Sequence, residues 1–235
     1  MISLVIPVYN EEKIIENAIQ TIKNYMDHCF DDNYEVIFVD DGSKDGTLKI
    51  MTGFANDKIK IISYEKNKGK GGAVRTGMLA ADGELIFYTD SDLAYGLDVI
   101  KQGCDIFREN KDAGIVIGSR KLHKNGYAEY TFLRKVMSHV FMFILKIYGG
   151  IKQSDSQTGI KGFRKEAAKK IFNLCETNGW SFDIEVLLIA DQLKLKILEM
   201  PVTIINHRES KVNPVKDSIK MLRDVSKIKK RVKKL

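Results

Sequence analysis

Short apolar runs alternate with helical stripes from the start of the chain. Ile2–Pro7 and Glu35–Val39 are β-branched runs that end in polar residues. Between them, Glu11 to about Met26 carries Ile14, Ile15, Ala18, Ile19 and Ile22 at helical spacing. The unit then repeats: Asp45–Phe54 predicts a helix, Ile59–Tyr64 a strand, Gly71–Ala81 a helix and Leu85–Thr89 a strand. Val36-Ile37-Phe38-Val39 and Leu85-Ile86-Phe87-Tyr88 are apolar at every position, as parallel strands covered on both faces require. The pattern predicts an α/β domain with a mostly parallel sheet flanked by helices. Further on, it predicts helices at Leu97–Glu109, Phe132–Tyr148, Lys165–Asn173 and Ile184–Leu193, and strands at Ala113–Gly118 and Ile197–Val202.

Composition fits one domain: 235 residues with 44% hydrophobic content bury a full core, and no repeat or low-complexity linker divides them. Cys29, Cys104 and Cys175 are widely spaced and odd in number, which argues against a disulfide framework or a zinc knuckle and for a reducing, cytoplasmic setting. Met1 runs straight into Ile2-Ser3-Leu4-Val5-Ile6-Pro7, so no secretory signal is expected.

The net charge of +7 is concentrated in Ser226–Leu235, and such a segment seeks anions. Nucleic acid is not the expected partner, because no aromatic-interleaved basic surface accompanies it. Arg134, Lys135, His139 and Lys146 interrupt Phe132–Tyr148, whereas a spanning helix wants about 20 predominantly apolar residues. It reads as an interfacial amphipathic helix, presenting Phe141, Phe143, Ile144 and Leu145, or as a core helix.

Ligands of open α/β sheets sit beyond the carboxyl ends of the strands, so the polar clusters there carry the candidate chemistry. Pro7-Val8-Tyr9-Asn10-Glu11-Glu12 follows the first strand and can set Tyr9 against a base, although acids in a first helical turn also serve the helix dipole. Val39-Asp40-Asp41-Gly42-Ser43-Lys44-Asp45 follows the second; capping explains Ser43 or Asp45 but not two adjacent acids. Asn67–Gly77 is glycine-rich and basic at a helix start, which suits an anion, and its spacing excludes Walker A. Asp90-Ser91-Asp92 places two carboxylates one residue apart after a buried strand. Hard divalent cations such as Mg²⁺ or Mn²⁺ take such oxygen ligands.

These four clusters, in this order, resemble the nucleotide-sugar domain of family 2 glycosyltransferases, with Asp90-Ser91-Asp92 as the DxD motif. Gly118-Ser119-Arg120, Asp155–Phe163, Trp180–Glu185 and Ser210-Lys211 extend the resemblance over residues 2–213, towards the polyprenyl-phosphate (dolichyl-phosphate) glucosyl- and mannosyltransferases. The resemblance implies a single GT-A (Rossmann-like) domain at 1–213: a nucleotide-sugar half at 1–92, an acceptor half at 93–213 containing the amphipathic helix at about 132–148, and a basic helix or tail at 214–235.

It implies that Pro7, Tyr9, Glu11 and Asp41 hold the nucleoside, with Lys70 and Arg75 assisting. Asp90, Ser91 and Asp92 take the diphosphate, and Asp90 and Asp92 ligate the metal. The resemblance puts a third ligand at Ala94, which has no ligating atom, so either water and donor oxygens complete the shell or the metal binds more weakly. Arg208, Ser210 and Lys211 form a loop near the diphosphate, and His207 is either an exposed loop residue or a ligand. Arg120, Arg134 and Ser138 meet the lipid phosphate, and Asp155 and Gln157 line the sugar or acceptor pocket, with Asp155 either a base or an orienting group. Trp180, Asp183 and Glu185 face the donor sugar, or serve as core and helix cap.

The implied reaction is inverting transfer of glucose from UDP-glucose to a polyprenyl phosphate, by an enzyme held peripherally on the cytoplasmic face of a membrane. A family 2 transferase acting on saccharide or protein hydroxyls, and a non-catalytic nucleotide-sugar or membrane-binding module, are the rival readings.

Overall fold

The computed structural model of the chain describes residues 1–127, 142, 145–206 and 214–235. Apolar residues at consecutive positions of β1 (Ile2–Val8) face opposite sides of the sheet, so each strand supplies two core layers. Leu4 and Ile6 join Val36, Phe38 and Phe87 in one layer, while Val5 joins Ile37, Val39 and Tyr88 in the other. Among the described residues the sheet has seven strands, in the order β3-β2-β1-β4-β6-β5-β7. These are β1, β2 (Tyr34–Asp40), β3 (Ile59–Ser63), β4 (Leu85–Tyr88), β5 (Ala113–Ser119), β6 (Lys161–Arg164) and β7 (Lys196–Pro201). All pairs are parallel except those of β6, which runs antiparallel to both β4 and β5.

The helices are α1 (Ile15–Phe30), α2 (Thr47–Thr52), α3 (Lys70–Ala80), α4 (Asp98–Glu109), α5 (Lys165–Leu174), α6 (Phe182–Gln192) and α7 (Pro214–Val232). Two start later than the pattern suggests. The amides of Ile14 and Ile15 both donate to Glu11 O, a turn that delays α1 to Ile15. Asp45 accepts from Thr47 N at 3.0 Å, which starts α2 at Thr47. β6 has no counterpart among the expected strands, because four residues that include a lysine and a glycine show no readable period.

The charged C-terminal segment is the helix α7, and Val225, Ile228 and Val232 bury one face of it in the layer that contains α6. Of the expected helix at Phe132–Tyr148, only Met142 and a turn of π-helix at Leu145–Gly149 are described, and Leu145 there is buried in the core. No helix among the described residues is long and apolar enough to cross a membrane.

Candidate active site

The first two polar clusters are stitched into one structure at the carboxyl ends of β1 and β2. Asn10 N donates to Ser43 Oγ at 2.9 Å, Lys44 N to Asn10 Oδ1 at 2.8 Å, and Glu11 N to Thr47 Oγ1 at 2.8 Å. Pro7 is tolerated inside a central strand because of which way it faces. Val5 O accepts from Thr89 N on the β4 side and Val8 O from Asp41 N on the β2 side. Pro7, two residues after Val5, therefore faces β4 beyond its last paired residue, where no N–H is needed. Tyr9 is exposed and Asp41 is buried.

Asp41 organises the third cluster. Its two carboxylate oxygens accept from Lys68 N at 2.8 Å and Gly69 N at 2.9 Å. Gly71 N and Gly72 N donate to Asn178 O at 2.8 and 3.3 Å. Gly69 has φ +97°, and a Cβ on it would lie 2.6 Å from Asn178 O, so glycine is required there. These four amides face the protein's own oxygens. The glycines serve close packing of α3 on the 177–179 loop, which replaces the expectation of an amide cradle for an anion. Arg75 is likewise engaged internally, donating from Nη1 to Cys175 O at 2.6 Å.

Asp90 and Asp92 follow β4, half-buried, with Ser91 buried between them. Asp92 Oδ1 accepts from Ala94 N at 3.1 Å, and Leu93, at φ +50°, bends the turn. Lys70 reaches in from the first turn of α3, placing Nζ 2.6 Å from Asp90 Oδ1 and 5.4 Å from the exposed ring of Trp180. Burial alone would lower the Lys70 ammonium, but the charges of Asp90, Asp183 and Asp92 overcome it and raise its pKa. The donor set is two carboxylates on one short turn, hard oxygens suited to Mg²⁺ or Mn²⁺. Among the described residues no third His, Cys, Asp or Glu joins them.

The antiparallel strand brings the second half of the chain to this turn. Tyr88 pairs with Lys161, so continuing the register past the strand ends sets Gly159 opposite Asp90. A Cβ on Gly159 would lie 2.2 Å from Asp90 Oδ2. Gly159→Ala is expected to displace the Asp90 carboxylate and slow transfer about 10²-fold, the scale of an ångström misplacement. Because Asp90 is partly exposed, the melting temperature should change little; initial rates and thermal melts check both parts.

The same segment holds Arg120. Asp155, wholly buried, accepts from Arg120 Nε at 2.7 Å and Nη2 at 2.9 Å, a bidentate pair. It also accepts from the backbone amides of Arg120 and Gln157 at 3.2 and 3.3 Å. Thr158 Oγ1 ties the segment to Gly118 O at 2.7 Å. Burial opposes ionisation of Asp155, but Arg120 and the two amides outweigh it and hold the carboxyl below its usual range. The stabilisation this gives is complete at neutral pH and fades as pH falls below about 4. Urea melts of Asp155→Asn should therefore show a flatter loss of stability below about pH 4 than those of the native chain.

Beneath the turn lies a buried group that motif reading passed over. Lys161, fully buried, donates to Asp183 Oδ1 at 2.6 Å and to Thr158 O at 2.8 Å, and the Tyr88 hydroxyl donates to the same Asp183 oxygen. Burial and then Asp183 push the Tyr88 phenol well up, so it remains a donor. Glu185, also buried, accepts from Thr177 N at 2.8 Å and Glu176 N at 3.1 Å and pairs with Arg231 of α7. Asp183 and Glu185 thus spend their oxygens on internal partners rather than capping α6, and neither is placed to face a donor sugar from the surface. The signal available in the sequence was a lone lysine between Ile160 and Phe163, and Arg231 inside the Val225, Ile228, Val232 seam.

Arg134, Ser138, His207, Arg208, Ser210 and Lys211 lie outside the described residues. Asn206, the last described residue before His207, donates from Nδ2 to Leu93 O at 3.0 Å, which sets it beside the Asp90–Asp92 turn.

Sheet order and the paired acids at the end of β4 define a GT-A glycosyltransferase. The chain belongs to glycosyl transferase family 2, whose family model matches residues 3–172. It is 33% identical to a dolichyl-phosphate beta-glucosyltransferase of Dictyostelium discoideum, over 97% of this chain and 73% of the relative. It is likewise 33% identical to the human protein of that name, over 95% of this chain and 73% of the relative. Glucosyl-3-phosphoglycerate synthase from Mycobacterium tuberculosis, solved with Mn²⁺, UDP-glucose and phosphoglyceric acid, shares the fold. Its TM-score is 0.71 at 20% identity, with 99% of this chain and 79% of that chain covered.

Proposed function

We propose that this enzyme transfers glucose from UDP-glucose to the phosphate of a polyprenyl phosphate of the dolichyl type, with inversion, giving a β-linked lipid-phosphate sugar. The observation that carries the reading is the convergence of Asp90, Lys70, Gly159 and the Arg120–Asp155 pair at one end of the sheet, in a chain 33% identical to dolichyl-phosphate beta-glucosyltransferases.

Pro7, Tyr9, Glu11 and Asp41 would hold the nucleoside. Each Asp41 oxygen that accepts a backbone amide keeps a second lone pair for a base N–H. Ser91 and Lys70 would face the diphosphate, and Arg208 and Lys211 would reach it from beyond Asn206. Asp90 and Asp92 would hold Mg²⁺ or Mn²⁺, which supplies positive charge to the departing diphosphate.

A phosphate acceptor is already anionic near neutral pH, so its oxygen attacks the anomeric carbon without a strong base. Catalysis then rests on alignment and charge neutralisation. Asp155 fits this scheme as the group that orients the Arg120 fork, since both its oxygens serve Arg120. The acceptor phosphate would meet the other edge of that guanidinium together with Arg134, Ser138 and Gln157. The lipid tail places the reaction at a membrane surface, and we assign it to the cytoplasmic face.

The test is transfer of label from UDP-[¹⁴C]glucose into the organic phase with a short polyprenyl phosphate and Mn²⁺. Label on a saccharide or peptide hydroxyl instead would overturn the acceptor, and label retained on UDP-glucose with every acceptor would favour a binding module.

A further inference from the structure

We propose that the outer face of α7 is the surface by which this enzyme docks on a bilayer rich in anionic lipid headgroups. Arg223, Lys227 and Lys230 are exposed and recur at intervals of four and three, which places them in one stripe along the helix, and exposed Lys234 follows in the turn just past its end. Lys233 is exposed beside them. Among the described residues none of these five side chains has an ion-pair partner. Several other surface lysines are matched with acids, as in Lys23–Asp27, Lys58–Asp32, Lys152–Asp191 and Lys196–Asp112. Others, such as Lys13, Lys49 and Lys101, also lack an ion pair among the described residues, and what sets α7 apart is the alignment of its cations in one row. Asp224, whose side chain is described on the same helix, accepts Ser181 Oγ at 3.3 Å on the inner face.

The helix is too firmly held to be a solvated tail. Val225, Ile228 and Val232 are buried, and Arg231 turns inward to Glu185 and to Leu174 O. A rigid row of unmatched cations is the electrostatic complement of a charged plane, and each Lys or Arg near such a surface strengthens binding about fivefold. The neighbouring Leu145–Gly149 turn packs Gly149 against Val225 and exposes Lys146 together with Ile147, whose side chain is 68% exposed. An apolar side chain beside a cationic stripe suits the boundary between headgroups and acyl chains.

The inference rests on the lipid-acceptor reading and is separable from it. Native protein should float with phosphatidylcholine vesicles containing phosphatidylglycerol, release in high salt, and ignore pure phosphatidylcholine. R223E/K227E/K230E/K234E should lose on the order of 10³-fold or more in vesicle affinity. It should keep native transfer to a short-chain, detergent-dispersed polyprenyl phosphate, because the stripe lies outside the catalytic groups. The quadruple Gln variant, which avoids like-charge repulsion, should lose less and in the same direction. Equal flotation of native and Gln variants, indifference to phosphatidylglycerol, or stronger retention by RNA than by vesicles overturns the docking surface. Loss of transfer to the short acceptor by the native chain would instead strike the reading beneath it.

Discussion

Asp90→Asn is expected to lower glucosyl transfer by about 10²–10³-fold, the scale on which removing one preorganised electrostatic group slows a reaction. Asp90 is the point where three parts of the chain meet: β4 delivers it, Lys70 of α3 pairs with it at 2.6 Å, and Gly159, just before β6, packs against it. The amide keeps the shape and removes the charge. Lys70 then loses its partner, and under the proposed metal-site reading a divalent cation would be left with Asp92 as its acid. Two readouts separate these effects from unfolding. Stabilisation by Mn²⁺ plus UDP in thermal melts should disappear, while the melting temperature without ligand should stay near the native value because Asp90 is partly exposed. An Asn variant that kept both full turnover and its Mn²⁺ response would remove Asp90 from the metal site.

Lys161→Met should be the most damaging single change to stability, at about 3–5 kcal/mol in urea unfolding. The methionine fits the volume but leaves Asp183 as a buried carboxylate with the Tyr88 hydroxyl alone, and it releases Thr158 O. Replacing both partners, Lys161→Met with Asp183→Asn, should recover a large part of the loss, because the cost lies in the uncompensated charge. Transfer should fall in the single variant as well, since Tyr88 and Thr158 lead directly into the Asp90 turn and Gly159. Equal stability of the single and double variants would show that the pair carries no such coupling.

The strands of the first half were legible because parallel strands buried on both faces read as unbroken apolar runs, and their polar ends pointed to Asp41 and Asp90. What stayed hidden depended on partners far away in the chain. β6 is four residues with no period, so nothing local marks it, and only its register explains why Gly159 is glycine. The Gly69-Lys70-Gly71-Gly72 loop looked like an anion cradle because glycines at a helix start suit either use. Asn178 O, about a hundred residues on, decides for packing. The cationic end of the chain showed its charge and concealed its seam, because Val225, Ile228 and Val232 are sparse among lysines. Trp180, which composition alone would bury, is exposed over Lys70.

The strand order also bears on how the protein is made. As the chain leaves the ribosome, β1 to β4 are complete by Tyr88, yet the free edge of β4 waits for β6, whose first residue is Lys161. For some seventy residues of synthesis the nascent sheet would offer an uncovered edge of Leu-Ile-Phe-Tyr, the kind of segment that recruits stray strands. Early-terminated or slowly translated chains should therefore depend on chaperones in that interval and lose the dependence once β6 is inserted.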